Sequence, residues 1–266
     1  MINRDHHQIE LSNLKLAYQD SGEGEAIVLL HGFCGSHAYF DKIIPTLSEK
    51  NRVIVPDLPG HGDSTFPKGN YEMEYMADTL KELLDSLNLD KVTLFGHSLG
   101  GYITLAFAEK YEERLHGYSL IHSTALPDSE DAKEGRIAAI EKVESKGVST
   151  LIDGLIPKLF ALENLESHKA DVEKAKNIGY ETTNEGAIGM LKAMKNRPDR
   201  NHVLKNSNLP ALLIAGEKDQ VIPPEKTFSV HKDTISQALI KGVGHMSMME
   251  KPDALISEIQ HFLKSK

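Results

Sequence analysis

A serine lies between two glycines in the pentapeptide Gly96-His97-Ser98-Leu99-Gly100. A short apolar, β-branched run at residues 92–95 precedes it, and a stretch of helical character at residues 101–110 follows it. A sharp turn from strand to helix would strain the backbone of the serine and present its hydroxyl outward, while flanking glycines allow neighbouring backbone to approach closely. We therefore predict that Ser98 is a nucleophile and that His97 contacts its substrate. A small-residue turn without chemical importance is the alternative.

Two further residues, His245 and Asp219, have the types that would activate this serine. A hydroxyl needs a base to take its proton during attack, and that base needs a third group to orient it. His245 follows a predicted strand at residues 238–240, and Asp219 follows another at residues 212–215. Parallel strands would deliver both side chains to the carboxyl edge of the sheet, where Ser98 also lies. We predict His245 as general base and Asp219 as orienting acid; a turn histidine and a turn or helix-capping aspartate are the alternatives.

The turn His31-Gly32-Phe33 follows a predicted strand at residues 27–30 and can supply hydrogen-bond donors. A tetrahedral intermediate needs donors aimed at its oxyanion, and removing one commonly costs about 3 kcal/mol. We predict that the backbone N–H groups of Phe33 and Leu99 form this oxyanion hole. Gly32 permits the tight turn, and His31 and Gly32 are candidate substrate contacts. A plain turn at the end of a strand is the alternative.

Short apolar runs alternate with amphipathic stretches of helix length, which predicts a parallel sheet covered by helices on both faces. We predict central strands at residues 27–30, 53–55, 92–95, 118–121, 212–215 and 238–240. We predict helices at residues 73–87 and 254–263, and an antiparallel pair of edge strands within residues 8–19. The fold class is therefore α/β, and each candidate catalytic residue follows one of its strands.

After the run at residues 118–121, no further strand is predicted until residue 212, and helical spacing of apolar residues marks three helices between them. An insertion of this length at one edge of a sheet is typical of a lid, since so long a connection rarely exists only to close a loop. We predict a helical cap at residues 125–205 on a core of residues 1–124 and 206–266. We expect Leu155, Leu159 and Phe160 to form a pocket wall; burial inside the cap is the alternative.

The composition restricts the classes of partner. The 266 residues carry a net charge of −9, whereas nucleic-acid binders usually carry a basic stripe. No run reaches the roughly 18 apolar residues of a membrane span, and the first residues lack the apolar region of a signal peptide, so we expect a cytoplasmic protein without a membrane partner. The single cysteine, Cys34, is expected to be a passive thiol, and the 13 histidines show no metal-binding spacing. The oligomeric state is not readable from the chain.

Five segments carry a resemblance to a known family: His31-Gly32-Phe33, Asp57-Leu58-Pro59-Gly60-His61-Gly62-Asp63-Ser64, Gly96-His97-Ser98-Leu99-Gly100-Gly101, residues 216–223 and Gly244-His245. Together they resemble the α/β-hydrolase superfamily over almost the whole chain outside the cap. The resemblance implies an eight-stranded, mostly parallel sheet, a serine esterase-type triad in the chain order Ser98, Asp219, His245, and no cofactor. Serine at the nucleophile position argues against haloalkane dehalogenases and epoxide hydrolases of this fold, which use aspartate there.

These observations favour a serine hydrolase that cleaves a small carboxylic ester through an acyl-enzyme intermediate. The stretch Arg197-Pro198-Asp199-Arg200, with Leu209-Pro210 and the turn Gly216-Glu217-Lys218-Asp219, resembles lactonase-like members, including 3-oxoadipate enol-lactonases; the same stretch can also simply tie the cap to the core. A lactonase and a carbon–carbon bond hydrolase are therefore alternative enzymes. A ligand receptor on the same fold is the non-enzymatic alternative.

Overall fold

A computed structural model describes residues 5–67, 69 and 72–265, and the strands of this part belong to one sheet. They are β1 (Asp5–Glu10), β2 (Lys15–Ser21), β3 (Glu25–Leu30), β4 (Asn51–Pro56), β5 (Val92–His97), β6 (Leu115–Ile121), β7 (Ala211–Gly216) and β8 (Ile235–Ile240). Their order across the sheet is β1-β2-β4-β3-β5-β6-β7-β8. β2 pairs antiparallel with β1 and β4, and the remaining neighbours pair parallel. The predicted eight-stranded, mostly parallel sheet and its antiparallel N-terminal pair are confirmed.

Both faces of the central strands are buried. Along β3, Ile27 and Leu29 pack into one apolar cluster, while Val28 and Leu30 pack into another on the opposite face. Successive side chains of a strand point to opposite faces, so a continuous apolar run needs cover on both sides. The helices of the described chain are α1 (Ile44–Leu47), α2 (Met73–Ser86), α3 (Leu99–Lys110), α4 (Glu130–Lys146), α5 (Val148–Leu159), α6 (Lys169–Tyr180), α7 (Asn184–Asn196), α8 (Asn201–Asn206), α9 (Pro224–Thr227), α10 (Ser247–Glu250) and α11 (Pro252–Ser265).

The last strand departs from its prediction as a central strand. β8 lies at an edge of the sheet and pairs with β7 alone among the described strands. Ser236, Gln237 and Leu239 are exposed, whereas Ala238 and Ile240 are buried. The run is short and apolar like the others, but it is covered on one face only, as edge strands often are. The prediction of a central strand here is therefore wrong.

The segment between β6 and β7 is helical and contains α4 to α8. Three helices were expected here, and they correspond to α4, α5 and α7; α6 and α8 were not predicted. α6 buries Val172, Ala175, Ile178 and Gly179 beneath a charged surface, so its apolar stripe consists partly of small residues and gives a weak periodic signal. The division of the chain into core and cap at residues 125 and 205 stays a prediction. No helix of the described chain has the length and apolar character needed to cross a membrane.

Candidate active site

The turn from β5 to α3 places Ser98 between strand and helix. Its φ of 51° and ψ of −112° lie outside the regions that L-residues usually adopt, so the backbone here is strained. Hydrogen bonds hold the turn: the Ser98 N–H donates to the carbonyl of Ile121 at 2.9 Å, and the Ser123 hydroxyl donates to the carbonyl of Ser98 at 2.7 Å. α3 begins at Leu99, two residues earlier than predicted. The sharp turn predicted from the sequence is present, with Ser98 partly buried.

The glycines beside this turn are required by close packing. A Cβ at Gly96 would lie 2.3 Å from both the Gly100 carbonyl oxygen and the Thr104 Oγ1 atom. A Cβ at Gly100 would lie 2.3 Å from the carbonyl oxygen of Leu30. No side chain fits at such distances, so any larger residue would force β3, β5 and α3 apart and displace the serine.

Asp219 and His245 form a buried hydrogen-bonded pair. The distance from His245 Nδ1 to Asp219 Oδ2 is 2.7 Å, while Asp219 Oδ1 accepts the N–H groups of Val221 at 2.8 Å and Ile222 at 2.9 Å. Burial opposes ionisation of Asp219, but His245 and a second histidine, His122, outweigh it and hold the pKa of this carboxyl well below its usual range. An ionised Asp219 that accepts from Nδ1 leaves Nε2 of His245 as the proton acceptor, as a general base requires.

The residue that precedes Ser98 contacts the loop of His245. His97 Nε2 donates to the carbonyl oxygen of His245 at 2.9 Å, and the centroids of the two rings lie 5.0 Å apart. Burial and the two neighbouring histidines hold the pKa of His97 well below its usual value, so its ring is neutral. This contact brings the turn of Ser98 against the turn of His245. His97 was predicted as a substrate contact, but its ring is buried and its Nε2 is used inside the protein.

A buried glutamate, Glu250, holds the loop of His245 in place. Its Oε1 accepts the N–H of Gly244 at 2.9 Å, and its Oε2 accepts the N–H of Ala161 at 3.0 Å and the side-chain amide of Asn164 at 2.7 Å. The carboxylate therefore joins the turn that carries His245 to the segment after α5. Sequence reasoning missed Glu250; its only signal was an acidic residue directly after Met248 and Met249.

A second imidazole, His122, follows β6 and contacts Asp219 from another side. Its Nδ1 lies 3.4 Å from Asp219 Oδ2, within electrostatic reach but without hydrogen-bond geometry, and its Nε2 lies 2.7 Å from the hydroxyl of Ser247. The backbone of His122 has a φ of 48°. Burial lowers the pKa of this histidine despite the neighbouring carboxylate. Sequence reasoning found no carboxylate at this position and did not consider a histidine as a neighbour of the acid.

The predicted oxyanion turn lies against the nucleophile turn. A Cβ at Gly32 would lie 2.7 Å from His97 Nδ1 and 3.3 Å from Ser98 Cβ, so glycine is needed for this approach. His31 is fully buried: its Nδ1 donates to the carbonyl of Gly32 at 2.8 Å, and its Nε2 accepts the N–H of Leu58 at 2.9 Å. Burial lowers the pKa of His31 to about 4. His31 therefore braces the turn from within, and the structure does not place it as a substrate contact.

Among the cavities lined by described residues, one includes Phe33 and another includes Ile222, the neighbours of Gly32 and of the Asp219 turn. The first, of about 300 Å³, is lined by Phe33, Leu155 and apolar residues of the helical segment; the second, of about 370 Å³, is lined by Tyr102, Ile222 and residues near the start of α4. Leu155 thus lies in a cavity wall beside the predicted oxyanion residue.

The other two predicted wall residues lie elsewhere. Leu159 and Phe160 are buried and line neither cavity, and α5 ends at Leu159, so Phe160 has extended backbone outside the helix. The carbonyl of Leu159 accepts the N–H of His245 at 2.6 Å. The expectation that one helix carries all three residues is corrected, because Phe160 lies outside α5; Leu155 lines the first cavity, and a wall role for Leu159 and Phe160 stays a prediction.

The stretch at residues 197–200 makes internal ion pairs. Arg197 Nη1 lies 2.7 Å from Asp128 Oδ1, and Arg200 pairs with Glu74 and with Glu109 at 2.9 Å. The pairs of Arg200 tie the segment after α7 to α2 and α3 of the core, as one interpretation of the sequence expected, whereas Arg197 and Asp128 pair within residues 125–205. Cys34 is fully buried, and burial raises the pKa of its thiol.

Within the part of the chain that the structure describes, two groups of three residues bring together side-chain atoms of the types that bind metal ions. Donor atoms of His122, Asp219 and His245 lie within 4.8 Å of one another, and so do those of His6, His37 and Asp57. The first group is the hydrogen-bonded site described above. In the second, His37 Nδ1 lies 2.9 Å from Asp57 Oδ1.

Comparisons with known proteins agree with this architecture. A family model described as the alpha/beta hydrolase fold matches residues 25–252. Lipase 3 of Moraxella sp. strain TA144 is 30% identical over 254 residues, which are 88% of this chain and 76% of that protein. This chain spans 66%, 86% and 76% of the lengths of three curated relatives.

Two solved structures are similar over nearly the whole chain. A thermophilic esterase from Thermogutta terrifontis, solved with malate bound, has a TM-score of 0.92 at 32% identity and covers 98% of each chain. An enol-lactonase from Burkholderia xenovorans LB400 has a TM-score of 0.90 at 23% identity and covers 97% of this chain and 100% of that one. At 23% identity, the similarity to the enol-lactonase shows only a shared fold.

Proposed function

The chain belongs to the α/β-hydrolase family and is a hydrolase of that family, and on this premise we propose that it is a serine esterase acting on small carboxylic esters. The observation that carries the proposal is the 2.7 Å pair of His245 and Asp219 beside the strained turn of Ser98. Similarity to an esterase and a lipase supports the same class of reaction.

The proposed reaction proceeds through an acyl-enzyme. His245 Nε2 takes the hydroxyl proton of Ser98 as the oxygen attacks the ester carbonyl, and the N–H groups of Phe33 and Leu99 stabilise the resulting oxyanion. Protonated His245 then gives its proton to the departing alcohol. Water attacks the acyl-enzyme and loses a proton to His245; the acid then leaves as His245 returns that proton to the Ser98 oxygen, which restores the free enzyme. Ionised Asp219 keeps His245 in the required tautomer and stabilises its charged form.

A lactone is a cyclic ester, so the same steps would open one. The arginines of residues 197–200 are occupied in internal ion pairs, so the resemblance of this stretch to lactonases gives no substrate contact. A panel that pairs open-chain esters with lactones, enol-lactones included, distinguishes the two substrate classes. Turnover of carbon–carbon bonds alone would favour the carbon–carbon hydrolase, and binding without turnover would favour a receptor. The cytoplasmic location stays a prediction.

The decisive experiment replaces the nucleophile. We expect Ser98→Ala to lower kcat on 4-nitrophenyl butyrate by about a thousandfold or more, because binding and oxyanion donors cannot replace the missing oxygen. Ser145→Ala, which changes an exposed serine of α4, is the matched control and should leave kcat unchanged. A fluorophosphonate should label Ser98 in the parent, as located by mass spectrometry. Activity of Ser98→Ala within tenfold of the parent, or an adduct on another residue, would refute the proposal.

A further inference from the structure

One arginine of α4, Arg136, lines both cavities beside the candidate site. The first cavity includes Phe33, which follows the glycine packed against Ser98. The second includes Ile222, whose N–H donates to Asp219. The Arg136 guanidinium therefore borders two cavities, and a ligand group bound in either cavity can contact it.

The charge around Arg136 is unbalanced. Asp128 is shared by two guanidiniums: Arg136 Nε lies 3.1 Å from Oδ2, and Arg197 Nη1 lies 2.7 Å from Oδ1. One carboxylate facing two permanently charged guanidiniums leaves one positive charge without a counterion among the residues that the structure describes. Among the described residues that line the two cavities, Asp128 is the only acidic one, whereas Arg136, Arg197 and Lys226 are basic. This positive cluster lies in a chain with a net charge of −9.

Arg197 and Arg136 differ in their burial and in how many of their hydrogen-bond donors are used within the protein. Arg197 is nearly buried, donates to the carbonyls of Met194 at 2.8 Å and Leu126 at 3.2 Å, and lies 3.9 Å over the ring of Tyr102. Arg136 remains 28% exposed and, among the described residues, forms its hydrogen bond through Nε alone. Its two Nη groups are therefore the donors left for a ligand, held by the bond from Nε to Asp128.

A planar guanidinium with two available amino groups binds carboxylates in a bidentate manner. Nonpolar groups line the remainder of the smaller cavity, including Leu151, Leu155 and Leu191. We propose that Arg136 makes this enzyme selective for esters that carry a free carboxylate, separated from the scissile ester by a short apolar chain. This inference rests on the proposed esterase function and names the substrate class of the same site.

The test compares pairs of substrates that differ only in charge. Mono-4-nitrophenyl adipate carries the carboxylate on the acyl side, and its ω-methyl ester is the neutral partner. 3-Carboxyphenyl butyrate carries it on the alcohol side, again with its methyl ester as partner. The ratio of kcat/KM within a pair cancels any general loss of active enzyme. We expect the parent to prefer the charged member of at least one pair by about tenfold or more, as a charged hydrogen bond can supply.

The variant Arg136→Met should abolish this preference, chiefly through a higher KM for the charged substrate, while turnover of the neutral partner persists. Lys133→Met removes the same charge from a partly exposed site on the same helix and should leave the ratio unchanged. A parent ratio near one for both pairs, or a preference that survives Arg136→Met, would overturn the inference while leaving the esterase intact. No Ser98-dependent turnover of any of the four esters would instead refute the proposed function.

Discussion

A single carboxylate organises the candidate site. Asp219 accepts two peptide N–H groups on Oδ1 and the imidazole N–H of His245 on Oδ2. The Nδ1 atom of His122 also lies 3.4 Å from Oδ2. Charge-assisted hydrogen bonds of this kind keep a buried carboxylate ionised although burial alone would neutralise it. The acid is therefore fixed in position before any substrate binds, and so is the ring that it orients.

At the residue scale, we expect Asp219→Asn to lower kcat by about a thousandfold to ten-thousandfold. The amide would donate to Nδ1 of His245, so the ring proton would move to Nε2 and the base could no longer accept from Ser98. Asp233→Asn, at an exposed position, is the matched control. The kinetics of Asp219→Asn, Ser98→Ala and the double variant should be far from additive, because the residues act as a unit. Additive losses would mean that the two residues serve separate steps.

At the scale of elements, α5 has two parts with different roles. Leu155, in its third turn, lines the cavity beside Phe33. The C-terminal end of α5 holds the loop of His245 in place. The Leu159 carbonyl accepts the N–H of His245, and the N–H of Ala161, just after the helix, donates to the carboxylate of Glu250. The same helix thus shapes one cavity and holds the loop of the candidate base.

Substitutions in α5 and just after it should separate these roles. We expect short acyl esters to be the best substrates, since a cavity of about 300 Å³ rejects chains that outgrow it. Leu155→Ala should shift the ranking of kcat/KM toward longer acyl chains with a small loss of stability. Phe160→Ala should lower the free energy of unfolding by about 3 to 5 kcal/mol and leave the ranking unchanged. The ranking is measured from acetyl to dodecanoyl esters, and stability by urea unfolding. If Phe160→Ala, and not Leu155→Ala, shifted the preference toward longer acyl chains, then Phe160 rather than Leu155 would line the substrate pocket.

At the scale of the whole molecule, buried neutral histidines surround the candidate site. Burial lowers the pKa of His31 to about 4 and that of His61 to about 3, and it also lowers those of His97 and His122. His37 is the exception: Asp57 raises its pKa although burial opposes this. Four imidazoles therefore resist protonation in the folded protein but accept protons near pH 6.5 once unfolded.

Because these four histidines accept protons more readily in the unfolded chain, we expect the free energy of unfolding to fall with decreasing pH. The fall should begin at a pH well above the range in which carboxylates titrate. The unfolded chain binds more protons below about pH 6.5, so stability falls as pH decreases, by about 1 kcal/mol per pH unit for each such histidine until its folded pKa is reached. His37 contributes the opposite sign but is one residue against four. Urea unfolding at pH 7, 6 and 5 should show a steep decline. His61→Asn should make that decline shallower, whereas the exposed His116→Gln should not. Equal stability at pH 7 and 5 would contradict this account.

The sequence by itself determined where the strands run, the helix that follows Ser98, and the three residues proposed for the reaction; it did not place β8 at the edge of the sheet or indicate α10 beside His245. Strand and turn periodicity are local properties, and a parallel sheet delivers every residue that follows a strand to the same edge. Ser98, Asp219 and His245 could therefore be proposed as the reacting residues without knowledge of any contact.

Only the tertiary structure decided which residues support them. His122, Glu250 and Arg136 lie on separate elements, and their importance depends on which surfaces meet when the helices between β6 and β7 pack onto the core. The same is true of Phe160, which has an apolar character that suits a cavity wall or an interior equally well. Periodicity shows which face of an element is apolar, but what that face contacts depends on long-range packing that no local pattern records.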